Sequence, residues 1–85
     1  MHLVVLSPDK EIFDGQAESV KVPGTDGQFE VLENHAPIVA ALGTGEVTVR
    51  KEQGGVMSFT IAKGFIDVLY NEVSLLVQGV SEEKE

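Results

Sequence analysis

The side chains best suited to chemistry in this chain are His35 and its neighbours, in the stretch Glu33-Asn34-His35-Ala36-Pro37. A histidine two residues from a glutamate could serve as a general base, because its ordinary pKa places proton exchange near neutral pH. That reading makes a small hydrolase of the chain, with a cleft at this turn and a perturbed imidazole. The other reading is a turn histidine whose ring nitrogens bond to nearby backbone, with Pro37 setting the entry into the next strand. The stretch by itself admits both.

Other chemistries can be tested by inventory. The chain has no cysteine, which removes thiolate nucleophiles, disulfides and thiolate metal sites together. A Ser-His-Asp arrangement would have to recruit His2 or His35 with a serine that sits in no nucleophile elbow. The two histidines are 33 residues apart and fall in neither an HxH nor an HExxH spacing, so no metal-ligand set is visible. Carboxylates can be paired on paper, Asp26 with Glu30 or Glu30 with Glu33, but exposed acids are common and their pairing is not legible in one sequence. The nine glycines form neither a P-loop nor a GxGxxG pattern and read as hairpin residues. No catalytic, cofactor-binding or metal-binding residue is assigned.

The elements that would have to position any site are short. At 85 residues the chain is one domain, and a domain of that size buries roughly 60–65 % of its unfolded surface. Little is left for a deep cavity. Six basic and fourteen acidic residues give a net charge of -8, with no basic cluster beyond Arg50-Lys51, which argues against a phosphate backbone as partner. The last five residues, Ser-Glu-Glu-Lys-Glu, carry three acids and one lysine, so they hold -2 of that charge and read as a solvated acidic tail over 81–85. Apolar runs reach about five residues, far short of the ~20 that span a bilayer. The first residues lack the basic region and cleavage site of a signal peptide, so a cytoplasmic protein is expected.

Hydrophobic periodicity is two nearly everywhere. Val20 and Val22 alternate with Ser19 and Lys21, Val47 and Val49 with Glu46, Thr48 and Arg50, and Met57, Phe59 and Ile61 with Ser58 and Thr60. Further strands are expected at Leu3–Leu6, Glu11–Asp14, Gln28–Leu32, Ile38–Leu42, Phe65–Leu69 and Val73–Val77, about nine in all. Turn residues punctuate them at Ser7-Pro8-Asp9, Asp14-Gly15, Pro23 to Gly27, Asn34, Gly43-Thr44-Gly45, Gln53-Gly54-Gly55, Lys63-Gly64 and Tyr70-Asn71-Glu72. The class is all-β, a sandwich or barrel.

Several of these stretches together resemble a known family. Ser7–Gly15 (SPDKEIFDG), Val20–Gly27 (VKVPGTDG), Gln28–Val39 (QFEVLENHAPIV), Leu42–Val49 and Gly64–Val77 (GFIDVLYNEVSLLV) resemble, in order and spacing, the N-terminal β-sandwich domain of the epsilon subunit of F-type ATP synthase. The most specific elements are Glu-x-Phe-x-Gly at Glu11–Gly15, the Gly-x-x-Gly turn at Gly24–Gly27, His35-Ala36-Pro37, and Gly64-Phe65. The resemblance covers about residues 2–79. It implies a ten-stranded sandwich of two five-stranded sheets over residues 1–80, in the rotor of the motor and without an active site of its own. The implied partners are the gamma subunit and the c-ring, with no nucleic acid, cofactor or small-molecule substrate, at the cytoplasmic side of a bacterial inner membrane.

By position, the resemblance puts Thr25, Asp26, Gln28, Phe29 and Glu30 at the c-ring, with the turn holding Asn34, His35 and Pro37 near that end. An acidic rim of Asp26, Glu30 and Glu33 would suit basic groups on ring loops. Leu32, Val39, Ala41, Leu69 and Leu76 are the candidates for gamma, on the expectation that they fall opposite the core stripe of their strands. Three departures stand out: Asn34 and Glu33 occupy positions often held by glycine and proline, and the family's C-terminal helical hairpin has no counterpart through Glu85. The inhibitory and ATP-binding roles of that hairpin are therefore not carried over. The competing expectation is a free-standing module binding a sugar or peptide. Such a module would need exposed aromatics, and the chain has no Trp, one Tyr and four Phe.

Overall fold

A computed structural model describes residues 1–84 and contains nine strands. They are β1 (His2–Leu6), β2 (Glu11–Gly24), β3 (Gly27–Leu32), β4 (Ile38–Leu42), β5 (Gly45–Lys51), β6 (Val56–Ile61), β7 (Lys63–Leu69), β8 (Glu72–Gln78) and β9 (Ser81–Lys84). The periodic segments all appear as strands, with two changes. The separate strands expected at Glu11–Asp14 and around Val20 are one continuous β2 of 14 residues. The expected acidic tail is, over Ser81–Lys84, a strand paired with β6, while Glu85 lies outside the described residues.

β2 explains the strand count. Its first part pairs with β1, from Leu6↔Glu11 to His2↔Gln16, and its second part pairs with β3 and β5, through Val20↔Val31 and Val20↔Val49. A register shift between Ala17 and Ser19 marks the change of neighbours, the position where an extra residue lets a strand bend. One layer is then β2 (first part), β1, β8, β7 and β4; the other is β3, β2 (second part), β5, β6 and β9. Counted once in each layer, β2 turns nine strands into two sets of five. The layers also meet where Gly24 of β2 pairs with Leu42 of β4.

The core lies between the layers and follows the alternation. Leu3, Val5, Ile66, Val68 and Leu75 from the first layer face Val20, Val22, Val47, Val49 and Phe59 from the second, all of them fully buried. The Cα atoms span 28 × 27 × 20 Å, and the short dimension suits two sheets packed about 10 Å apart. Among the described residues no buried side-chain polar atom lacks a hydrogen-bond partner, which packing of this kind requires.

Candidate docking surface

Alternation that buries one side of each strand also decides what the other side shows, and the two layers differ there. The outer face of the second layer carries Lys21, Gln28, Glu30, Glu46, Thr48, Arg50, Ser58 and Thr60, with Leu32 and Val56 as its exposed large apolar side chains. The outer face of the first layer is mixed, with His2, Asp14, Glu72, Ser74 and Asp67 on it, but an apolar row crosses it. Strand register aligns Leu6 with Leu76, Leu76 with Phe65 and Phe65 with Ala41, a row running across β1, β8, β7 and β4. Leu6 is 37 % exposed, Phe65 44 % and Leu76 50 %. With Pro8, Lys63 and Gln78 they line a shallow groove at the edge of the face. The next row is Val4, Ser74, Asp67 and Val39, and Leu69 follows Asp67 on β7. A contiguous apolar patch of this kind marks a surface that another molecule covers.

Four of the five candidates for gamma, Val39, Ala41, Leu69 and Leu76, lie on this face and are exposed. Leu32, also exposed, ends β3 in the second layer and does not belong to the row. The sequence reading passed over Leu6 and Phe65. Phase could have found Phe65, because Ile66 and Val68 are the core pair of its strand and Phe65 is out of step with both.

The candidates for the c-ring sit together at a hairpin. Gly24 and Gly27 pair across a two-residue turn whose tip is Thr25 and Asp26, both exposed, with Gln28 and Glu30 exposed beyond it and Phe29 half-buried. Gly27 has φ 127°, a conformation open to glycine, and a Cβ on Gly24 would stand 2.6 Å from the Gly27 carbonyl oxygen. Two backbone bonds fasten the hairpin to the end of β4: Thr25 N–H donates to Ala41 O (3.1 Å) and Gly43 N–H to Pro23 O (2.8 Å).

The turn at Asn34, His35 and Pro37 is not near that hairpin. β3 separates them, with Gly27 at the hairpin and Leu32 at the turn, and six extended residues cover roughly 20 Å. β4 then carries the chain back from Ile38 to Leu42, beside Gly24. The resemblance places the two turns near one end, but the intervening β3 puts them at opposite ends.

Within its turn, half-buried His35 donates its Nδ1–H to Ala36 O at 2.7 Å, and its backbone N–H donates to Leu32 O at 3.1 Å. Among the described residues neither Glu33 nor another carboxylate bonds to the ring. Asn34, at φ 64°, is locked to the β7–β8 turn. Its N–H donates to Asn71 Oδ1 (2.8 Å), and Asn71 Nδ2 donates to Asn34 Oδ1 (3.0 Å). This geometry holds a turn in place and presents no acid–base pair.

His2 is the histidine that meets carboxylates. Its Nε2 lies 2.7 Å from Asp14 Oδ1 and its Nδ1 3.1 Å from Glu72 Oε1. The hydrogen bond to Asp14, then that to Glu72, raises the imidazole pKa above its ordinary value, since both nitrogens donate only in the charged ring. Register explains the meeting: His2 of β1 pairs with Glu72 on β8, and Asp14 on β2 pairs with Val4, which lies on the same side of β1 as His2. Sequence separations of 12 and 70 residues hid it. No group of three His, Asp or Glu among the described residues is arranged to hold a metal ion.

A two-layer sandwich with an exposed apolar row across one outer face and a braced polar hairpin has the build of a docking domain. Residues 1–83 match the sequence model of the family described as ATP synthase, Delta/Epsilon chain, beta-sandwich domain, and the chain belongs to that family. It is 43 % identical over 79 residues to the ATP synthase epsilon chain of Thermosynechococcus vestitus, covering 93 % of this chain and 56 % of that one. With the ATP synthase epsilon chain of Chlorobium limicola it shares 39 % identity over 79 residues, 93 % of this chain and 90 % of that one. The chain thus spans little more than half the length of the first relative and most of the second. Its fold is also that of a chain in the Euglena gracilis mitochondrial ATP synthase, with TM-score 0.82 at 22 % identity, over 93 % of this chain and 51 % of the other. A chain of the Tetrahymena thermophila mitochondrial ATP synthase central stalk and c-ring gives 0.77 at 18 % identity, over 96 % and 66 %.

Proposed function

We propose that this chain is a non-catalytic rotor subunit of a proton-translocating F-type ATP synthase, docked on gamma and seated against the c-ring, where it helps couple rotation to ATP synthesis. The observation that carries the reading is the exposed apolar row on the outer face of the first layer, in a chain that belongs to the epsilon family. That face, centred on Phe65 and Leu76, takes gamma. The hairpin of Thr25 and Asp26, with Gln28, Phe29 and Glu30 behind it, takes the polar loops of the ring. Its acidic side chains favour basic groups there and influence orientation more than affinity. The complex then holds the chain peripherally at the cytoplasmic face of a bacterial inner membrane. No described helix is long and apolar enough to cross a bilayer. Family membership favours this role over a free-standing sugar- or peptide-binding module.

A photo-crosslinker at Gln28 in the assembled enzyme tests the orientation. A product with the c-ring subunit is expected, and a fully assembled complex that yields none overturns it. The turn at Asn34, His35 and Pro37, being at the other end of β3, is expected to give no such product.

A further inference from the structure

The apolar face contains one carboxylate that its surroundings do not explain. Asp67 is the fifth of the seven residues of β7, exposed on the outer face, with Phe65 and Leu69 on either side of it on that face. Across the strands it faces Val39 on β4 and Ser74 on β8. Among the described residues no side chain bonds to it or forms an ion pair with it. The other charged groups of this face stand at its margins: Lys63 at the start of β7, and Asp14 and Glu72, each bonded to His2.

A molecule that covers Phe65, Leu69, Leu76 and Val39 must also cover Asp67. Removing a carboxylate from water beneath an apolar partner is strongly unfavourable unless a cation or several hydrogen-bond donors meet it. We propose that the docking partner presents a cationic side chain, within an otherwise apolar surface, that pairs with Asp67 at the centre of the interface. An arginine fits best. Its planar group can take the carboxylate through two N–H donors while its face lies along the Phe65 ring. Asp67 is then the specificity residue of the face: apolar surfaces without a matching cation are rejected by the cost of stranding it.

This inference rests on the docking reading above, and the test separates the two. Binding of the chain to the gamma subunit of its own enzyme is measured by titration calorimetry for wild type, Phe65→Ser, Asp67→Asn and Asp67→Leu, with thermal unfolding confirming that each variant is folded. Asp67→Leu discriminates, because it enlarges the apolar patch while removing the charge. The expected result is that Phe65→Ser loses binding and both Asp67 variants weaken it about 30-fold or more, the scale for breaking one side of a covered charge pair. If Phe65→Ser loses binding but the Asp67 variants bind as tightly as wild type or tighter, the cation pairing is wrong and the docking face stands. If wild type does not bind, or all variants bind alike, both are wrong.

Discussion

Asn34 and Asn71, 37 residues apart, exchange two hydrogen bonds that tie the β3–β4 turn to the β7–β8 turn. The link holds a residue at φ 64°, which asparagine tolerates better than most side chains, and fixes the segment that contains His35. Asn71→Ala removes the acceptor of the Asn34 N–H as well as a donor, both at a surface where water can substitute in part. A loss of about 1–2 kcal/mol is expected, equivalent to a fall in Tm of roughly 4–15 °C for a domain of this size. Thermal denaturation checks it, and an unchanged Tm would show that the link is incidental.

His2 supplies a pH dependence whose sign follows from its partners. Asp14 first and Glu72 second raise its pKa in the folded protein above the ordinary 6.5. A raised folded pKa means the bridge contributes fully below the unfolded pKa, about 6.5, and is lost as pH rises through the higher folded value. Wild type should therefore lose stability as pH rises above about 6.5, and His2→Gln should flatten that slope while leaving the alkaline end nearly unchanged. Urea midpoints across the range decide it; parallel curves for the two proteins would remove His2 as the cause.

The sequence revealed the fold well where strands are half-buried and poorly where they are not. Met57, Phe59 and Ile61 alternate cleanly with polar residues, so strand and phase were both legible. Leu3–Leu6 is apolar throughout because Leu3 and Val5 enter the core while Leu6 lies in the docking row, and a run apolar on both faces hides its phase. β9 was invisible for the opposite reason: Ser-Glu-Glu-Lys has no apolar stripe, and its pairing with β6 is a tertiary event. β2 read as two strands because Asp14-Gly15 looks like a turn, whereas Gly15 stays in the ladder opposite Leu3. The grouping of His2, Asp14 and Glu72 depends on the order of strands in the layer, which local pattern does not contain.

Neighbouring positions on β7 should separate core from docking face. Ile66 is fully buried, and Ile66→Ala is expected to cost about 2–5 kcal/mol through lost transfer energy and a residual cavity. Phe65 is exposed on the outer face between Leu76 and Ala41, so Phe65→Ala should cost only about 0.2–1 kcal/mol for each cross-strand pair. Chemical denaturation of the two variants measures the contrast. Equal losses would mean that Phe65 is a packing residue of the sandwich, and the docking row would lose its central member.

The hairpin proposed to meet the c-ring depends on two glycines for different reasons, and substitution should show them apart. Gly24 lacks space: a Cβ there would lie 2.6 Å from the Gly27 carbonyl oxygen and 2.9 Å from Phe29 Cε1, so Gly24→Ala must displace the turn or the ring. Gly27 has nothing within 4 Å of its hypothetical Cβ, and its difficulty is φ 127°. Each alanine should cost about 1–3 kcal/mol, the first by overpacking and the second by backbone strain. Hydrogen exchange at Thr25 and Gly43 distinguishes them, because those amides bond across to Ala41 and Pro23 only while the hairpin lies against β4. Gly24→Ala should deprotect both amides by pushing the hairpin off its support. Gly27→Ala, at the solvent side of the tip, should lower global stability while leaving their relative protection near that of other strand amides. Equal local deprotection in the two variants would mean that the turn moves as one unit and that crowding at Phe29 does not set its position.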